Sequence, residues 1–304
     1  MTKLLGPLVT DLSGSVQDCQ FNYYGNKLAV TDSEGCIEVQ DLEDQSTQGA
    51  NHESGFRREH FKAHDGPIWQ VTWATPECGS LLASCSYDKT IKIWSEKNCM
   101  LTNIHTLSKY DCSVNCIQWA PAEYGVKLIA GLSSGKIIVA SYLPADETWD
   151  QHIIDAHDSS VNSISIAKAD NFKFVSCSCD NQVYQWVQVE NEFNREKIGF
   201  HDEWVRDVAY YNSDLPTDTS RVVSGGEDNK VKIWRKDGDQ GEWKLEKEIT
   251  KDSPVWRVDF SPVGGLLSVC SGDNQTTVYQ EKVPGSGDWV LESILNEEGV
   301  IREK

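Results

Sequence analysis

Two sets of residues in this 304-residue chain have the types that hydrolytic chemistry uses: His64, Ser84 and Asp88, then His201, Ser224 and Asp228. A serine whose proton is taken by a histidine, itself oriented by an aspartate, is the machinery of acyl transfer. The duplication argues against that use, because a fold needs one active site and not one per repeat. His64, His157 and His201 each precede Asp and open an apolar run, while Asp88, Asp180, Asp228 and Asp273 each precede Trp94, Trp186, Trp234 and Tyr279 by six positions. An Asp in a tight turn accepts backbone N–H groups and holds the turn. His64, Ser84, Asp88, Trp94, His157, Asp180, Trp186, His201, Ser224, Asp228, Trp234 and Asp273 are therefore expected to form structural networks that tie each turn to its strands.

Other chemistry finds little support. His105, Cys112 and Cys116 have the types of a metal site but lack the second paired cluster that structural zinc uses. Most of the ten cysteines fall inside strand patterns; Cys177 and Cys179 flank Ser178 and are expected on one strand face. No Gly-rich phosphate loop, HExxH or nucleophile elbow occurs, so the chain is expected to be non-catalytic and without cofactor or metal. The net charge is −19, from 47 acidic and 28 basic residues. That balance repels polyanions and excludes a direct nucleic-acid role. There is no cationic leader feeding an apolar core, and no apolar run of about 18 residues, so direct membrane insertion is not expected.

The elements that must position these residues follow from self-similarity. Strand patterns begin at Val16, Ile68, Val114, Val161, Val205 and Val255, about 44 to 52 residues apart. In the second unit, Ile68–Trp73, Leu81–Ser86 and Thr90–Trp94 are alternating or β-branched runs bounded by turn residues. Each unit repeats this triplet, and Glu43–Gly55 is a polar insertion in the first. The expected fold is all-β: a WD-repeat β-propeller of six blades, forming a single domain over residues 1–304.

Certain segments are more specific. His64-Asp65-Gly66-Pro67-Ile68-Trp69-Gln70-Val71-Thr72-Trp73, Leu82 to Lys89, His157 to Ser163, Trp204 to Ala209, Tyr23 to Ala29 and Pro254 to Val258 occur in order along nearly the whole chain. The chain thereby resembles the small WD-repeat subunit of the COPII vesicle outer coat, a family shared with the Y-shaped scaffold of the nuclear pore. Ile166, where that family usually has Trp, the 43–55 insertion and Glu34 in place of a turn Asp are departures. The resemblance implies a scaffold in endoplasmic reticulum to Golgi transport, cytoplasmic and peripheral on the endoplasmic reticulum membrane, with relatives at the nuclear envelope. It implies as partners the large α-solenoid subunit of the coat, an α-solenoid nucleoporin of the Y-shaped complex, and a nutrient-signalling complex at the lysosome or vacuole. The sister Y-complex propeller and a generic seven-bladed WD adaptor are the alternatives; the second needs a seventh triplet, which is not found.

Each triplet needs an outer strand. Phe56–Phe61, Asn103–Leu107, Gln151–Asp155, Glu196–Phe200, Leu245–Ile249 and Trp289–Ile294 supply six, and Leu8-Val9-Thr10 would be a seventh. Seven outer strands for six triplets imply an open ring, and the resembled family fills such a vacancy with a blade from its partner. Two bare blade faces would expose about 700 Å², more than a soluble monomer usually shows. The slot is expected between the first and sixth blades, with Leu8, Val9, Thr10, Phe21, Val30, Ile37 and Val39 on one wall and Val258, Val269 and Val278 on the other.

Overall fold

The computed structural model describes residues 11–42, 58–97, 100–168, 171–212, 219–238, 240–261, 265–296 and 299–303. Every triplet read from the sequence becomes three antiparallel strands, and a fourth, outer strand follows each. Blade one is Val16–Phe21, Lys27–Asp32, Cys36–Asp41 and Arg58–Lys62; blade two is Ile68–Trp73, Leu81–Ser86, Ile91–Lys97 and Met100–Leu107. Blade three is Val114–Trp119, Lys127–Leu132, Lys136–Leu143 and Thr148–Asp155. Blade four is Val161–Ile166, Lys173–Ser178, Gln182–Val189 and Glu192–Phe200; blade five is Val205–Tyr210, Thr219–Gly226, Lys230–Asp237 and Lys244–Thr250. Blade six is Val255–Phe260, Leu266–Ser271, Gln275–Glu281 and Trp289–Asn296, with Gly299–Glu303 as an unexpected fifth strand. The architecture is a six-bladed β-propeller. Backbone contacts group it into two compact units, blades one to three within Leu8–Asp155 and blades four to six within Ala156–Lys304.

One irregularity recurs. In each blade the pairing of the first two strands slips just after the residue that opens the inner strand, as between Ile68 and Gln70, or Val205 and Asp207. A bulge of this kind adds one residue and shifts the side-chain phase. Ile68 and Val71, three residues apart, consequently share one buried face where strict alternation would put them on opposite faces.

The cores lie where successive blades stack. Between blades one and two, Ala29, Ile37 and Val39 meet Ile68, Val71 and Leu82. Between two and three, Ala83, Ile91 and Ile93 meet Val114, Ile117 and Trp119. Within the second unit, Val175, Cys177 and Val183 of blade four meet Val205 and Val208, and Val223, Val231 and Ile233 of blade five meet Val255 and Val258. Forward faces thus come from the middle strands, and backward faces include the inner strand of the next blade.

Two expectations change here. Five of the six outer strands are longer than the sequence suggested, whereas that of blade one runs Arg58–Lys62 among the described residues; the expected Leu8–Thr10 strand lies outside the described residues. Cys177 is buried in its strand, but the strand ends at Ser178, so Cys179 lies in the following turn and its thiol bonds to the Asn162 side chain. A turn residue no longer follows strand alternation.

Candidate protein-docking site

The histidine networks come together as three copies of one arrangement. In blade two, His64 Nδ1 lies 2.9 Å from Asp88 Oδ2 and His64 Nε2 lies 2.8 Å from Ser84 Oγ. Trp94 Nε1–H donates to the same Ser84 Oγ at 2.9 Å. Indole N–H is donor only and an ionised carboxylate is acceptor only, which fixes the order. Trp94 donates to Ser84, Ser84 donates to His64 Nε2, and His64 Nδ1–H donates to Asp88. Blade five repeats this through His201, Ser224, Asp228 and Trp234. Blade four repeats it through His157, Ser176, Asp180 and Trp186, all with matching distances. Ser176 was missed in the sequence; the signal was its place ten residues before Trp186, as Ser84 stands before Trp94.

Each aspartate also closes its turn. Asp88 accepts the N–H groups of Asp65 and Thr90, Asp180 those of Asp158 and Gln182, and Asp228 those of Asp202 and Lys230. Burial pushes these carboxyls up, but the hydrogen bonds from histidine and backbone outweigh it and hold all three below the usual carboxylate range. Burial pushes His64 down, so it stays neutral and keeps its accepting nitrogen toward Ser84. Ser84, Ser176 and Ser224 have no solvent-accessible surface. Blade six keeps only part of the scheme: Asp273 accepts from Ser271 Oγ at 2.7 Å and from the Gln275 N–H. In blade one, Asp32 takes over the turn from two positions earlier than Glu34, accepting the N–H groups of Glu34 and Cys36.

The inner strands differ in what covers them. The opening residues Ile68, Val114, Val161, Val205 and Val255 are each 0% exposed, whereas Val16, which opens blade one, is 52% exposed. Phe21, which ends that strand, is 57% exposed, while its counterparts Trp119, Ile166, Tyr210 and Phe260 are buried and Trp73 is partly buried. Cys19, in the position of Val71, is exposed as well. Among the described residues, the inner strand of blade one therefore leaves the apolar side chains Val16, Cys19 and Phe21 of its backward face exposed. Sequence reasoning missed Val16 and Cys19; alignment with Ile68 and Val71 was the signal for them.

The remaining slot residues divide by strand alternation. Val30 pairs directly with Cys19 and Phe21 pairs with Leu28, so Val30 does lie on this backward face. It is already buried, and beside it Glu38 Oε2 accepts the Asp11 N–H at 2.8 Å. Ile37 and Val39 are corrections: they lie on the forward face and pack into blade two. Val258 and Val269 are likewise corrected, being packed into blade five. Side chains alternate across a strand, so one residue of phase separates a wall of the proposed slot from an internal core. Leu8, Val9 and Thr10 lie outside the described residues. Val278 occupies the forward position of Ile233, paired as Leu267↔Tyr279 matches Val222↔Trp234. There, Ser268, Cys270, Thr276 and Val278 are all partly exposed, whereas Val223, Val231 and Ile233 of blade five have no exposed surface.

Among the described residues no group of three His, Cys, Asp or Glu side chains is placed to hold a metal ion. His105 instead packs against the rings of Tyr142 and Trp149.

Four-stranded sheets with a repeated Trp–Ser–His–Asp chain define a WD-repeat propeller. The family of the WD domain, G-beta repeat, matches residues 55–95, 149–187, 195–235 and 243–280, which leaves out the two blades lacking the histidine and the closing aromatic. Among curated proteins, the protein SEC13 homolog of Drosophila melanogaster is 31% identical over 95% of this chain and 83% of its own length. Protein transport protein SEC13 of Yarrowia lipolytica is 33% identical over 93% of this chain and 96% of its own, and protein transport protein sec13 of Aspergillus clavatus is 31% identical over 90% and 98%. The chain belongs to the Sec13 family of WD-repeat proteins.

Proposed function

We propose that this protein is a non-catalytic scaffold subunit of the COPII outer coat, acting at the endoplasmic reticulum in transport toward the Golgi. Its partner in this reading is the large α-solenoid subunit of that coat, which adds strands against the inner strand of blade one. The relatives' names as protein transport proteins support the pathway. One observation carries the docking mode: Val16 is about half exposed where every other blade opens with a buried residue, and Phe21 at the end of the same strand is about half exposed as well. An uncovered strand with an apolar face invites β-strand addition, in which backbone pairing gives register and side chains give specificity. The same face would receive an α-solenoid nucleoporin in the Y-shaped complex. Catalysis is disfavoured by geometry, since each Ser Oγ is buried and already accepts an indole N–H, which leaves no approach for a carbonyl carbon.

The test is Val16→Asp/Phe21→Asp. Both side chains are about half exposed, so fold and thermal unfolding should be unchanged. Covering the exposed halves of a Val and a Phe gains about 2–3 kcal/mol, and buried carboxylates add a further cost. Affinity for the purified solenoid subunit, measured by calorimetry, should fall at least about 30-fold. Unchanged affinity would refute this placement of the docking face.

A further inference from the structure

The blades are joined by a repeated hydrogen bond. The inner strand is an edge strand, and alternate N–H groups turn away from its own sheet. In blade two, Val71 N–H donates to Asp18 Oδ2 at 3.0 Å and Trp73 N–H to Gln20 Oε1 at 2.7 Å. Ile117 N–H donates to Gln70 Oε1 at 2.8 Å. In the second unit Tyr210 N–H donates to Ser165 Oγ at 2.9 Å and Val258 N–H to Asp207 Oδ2 at 2.9 Å. Each acceptor stands on the inner strand of the preceding blade. A side chain thus completes the backbone hydrogen bonding of a strand in the next sheet.

Phe21 is the counterpart of Trp73 and Tyr210. All three end their inner strands, and they pair with Leu28, Leu82 and Val222 in the same register. The next residues confirm the phase: Asn22 N–H donates to Lys27 O and Ala74 N–H to Leu81 O, so the N–H one position earlier turns outward in both blades. Among the described residues the outward Phe21 N–H has no acceptor. Water can serve it while the strand is bare. Once a strand covers Phe21, an N–H left without an acceptor costs free energy comparable to a lost hydrogen bond.

We infer that the innermost strand of the docked partner carries an amide or hydroxyl side chain whose oxygen accepts the Phe21 N–H, as Gln20 and Ser165 do for Trp73 and Tyr210. This rests on the docking reading above and specifies its chemistry. The other outward N–H, two residues earlier in the strand, is served by the carboxylates Asp18 and Asp207 and by the Gln70 amide, whereas the strand-terminal N–H of Trp73 and of Tyr210 each meets a neutral side chain.

The experiment uses the full chain with the purified α-solenoid subunit of the COPII outer coat. Phe21→Ala and Phe21→Pro both delete the ring, but only Pro deletes the N–H, and Pro is tolerated on an edge strand where the N–H faces outward. Phe21→Pro should bind about ten-fold more weakly than Phe21→Ala. Replacing by Ala each Asn, Gln, Ser and Thr of the partner strand seated on Val16–Phe21 should find one change that weakens the parent about ten-fold and leaves Phe21→Pro unaffected. Residue-resolved hydrogen exchange is independent of how Phe21→Pro folds. In the parent complex the Phe21 amide should be at least about ten-fold slower than in the free chain, and the partner's Ala change should restore its exchange. Equal binding by the Pro and Ala variants, or a Phe21 amide that exchanges freely while its neighbours are protected, would overturn the acceptor and leave the docking face standing. Absence of a complex, or of protection anywhere in Val16–Phe21, would overturn both.

Discussion

Replacing Ser84 by Ala tests the network on which the blades depend. Ser84 Oγ is inaccessible to solvent and has two partners, receiving the Trp94 N–H at 2.9 Å and donating to His64 Nε2 at 2.8 Å. Alanine leaves one donor and one acceptor buried with nothing in reach, each costing about 1–3 kcal/mol. His64 cannot turn to help, because Asp88 and Thr90 hold its other nitrogen. The expected loss is about 2–5 kcal/mol, or roughly 3–8 °C in Tm for a protein of this size. Ser176→Ala and Ser224→Ala should cost about the same, since their partners and distances match. Ser271→Ala should cost less, because that hydroxyl bonds Asp273 in a network without histidine or indole. Guanidinium unfolding followed by tryptophan fluorescence would measure all four. A Ser84→Ala variant within about 0.5 kcal/mol of the parent would refute the reasoning.

Acidification should destabilise the protein in two stages. His64 has its folded pKa lowered by burial, so its contribution is full above the unfolded value near 6.5 and is lost as pH falls below it. Asp88, Asp180 and Asp228 are held below the carboxylate range, so their contribution is lost further down, below about pH 4. Asp259 has the opposite sign, pushed up to about 6 by burial and then by Asp207; its side chain still reaches solvent, so its effect is small. Denaturation at pH 7.5, 5.5, 4 and about 2.5 checks the order, and stability that rises between 7.5 and 5.5 would contradict it. Arg221→Met should cost about 3–5 kcal/mol in the same assay, because it removes the bridge at 3.1 Å to the buried Glu281 carboxylate and the one at 2.9 Å to Glu246, which then keeps only Arg235 at 3.5 Å. A loss below about 1 kcal/mol would show that those acids are already protonated.

The strand triplets were legible because the apolar positions that stack blades are β-branched or aromatic and recur at one period, and because Asp88, Asp180 and Asp228 mark the same turn. The docking face was legible only in part. Ile37 and Val39 read as wall residues, yet one residue of phase puts them in a core with blade two. The bulge after Val16 adds to the difficulty, since simple alternation cannot tell which of Val16, Asp18 and Cys19 share a face. Gly199 shows the same limit: the Trp234 ring occupies the space where a Cβ would stand, a requirement set by the adjacent sheet and invisible along the strand.

The uncovered faces also differ in composition from the covered ones, and this bears on how docking is driven. Where blade five presents Val223, Val231 and Ile233 to its neighbour, blade six presents Ser268, Thr276 and Val278 in the same positions. In blade one, much of the backward face beyond the inner strand is buried already, which leaves Val16, Cys19 and Phe21 as the apolar part still exposed. Small and polar residues keep the unpartnered chain from presenting an adhesive patch of several hundred Å². The hydrophobic gain on docking is correspondingly smaller than two bare valine-rich faces would give, so more of the affinity must come from backbone pairing and from acceptors placed for outward N–H groups. Binding of that kind tolerates conservative apolar changes at Val16 and penalises loss of a single hydrogen bond at the strand edge, which is the reverse of the sensitivity expected within the blade cores.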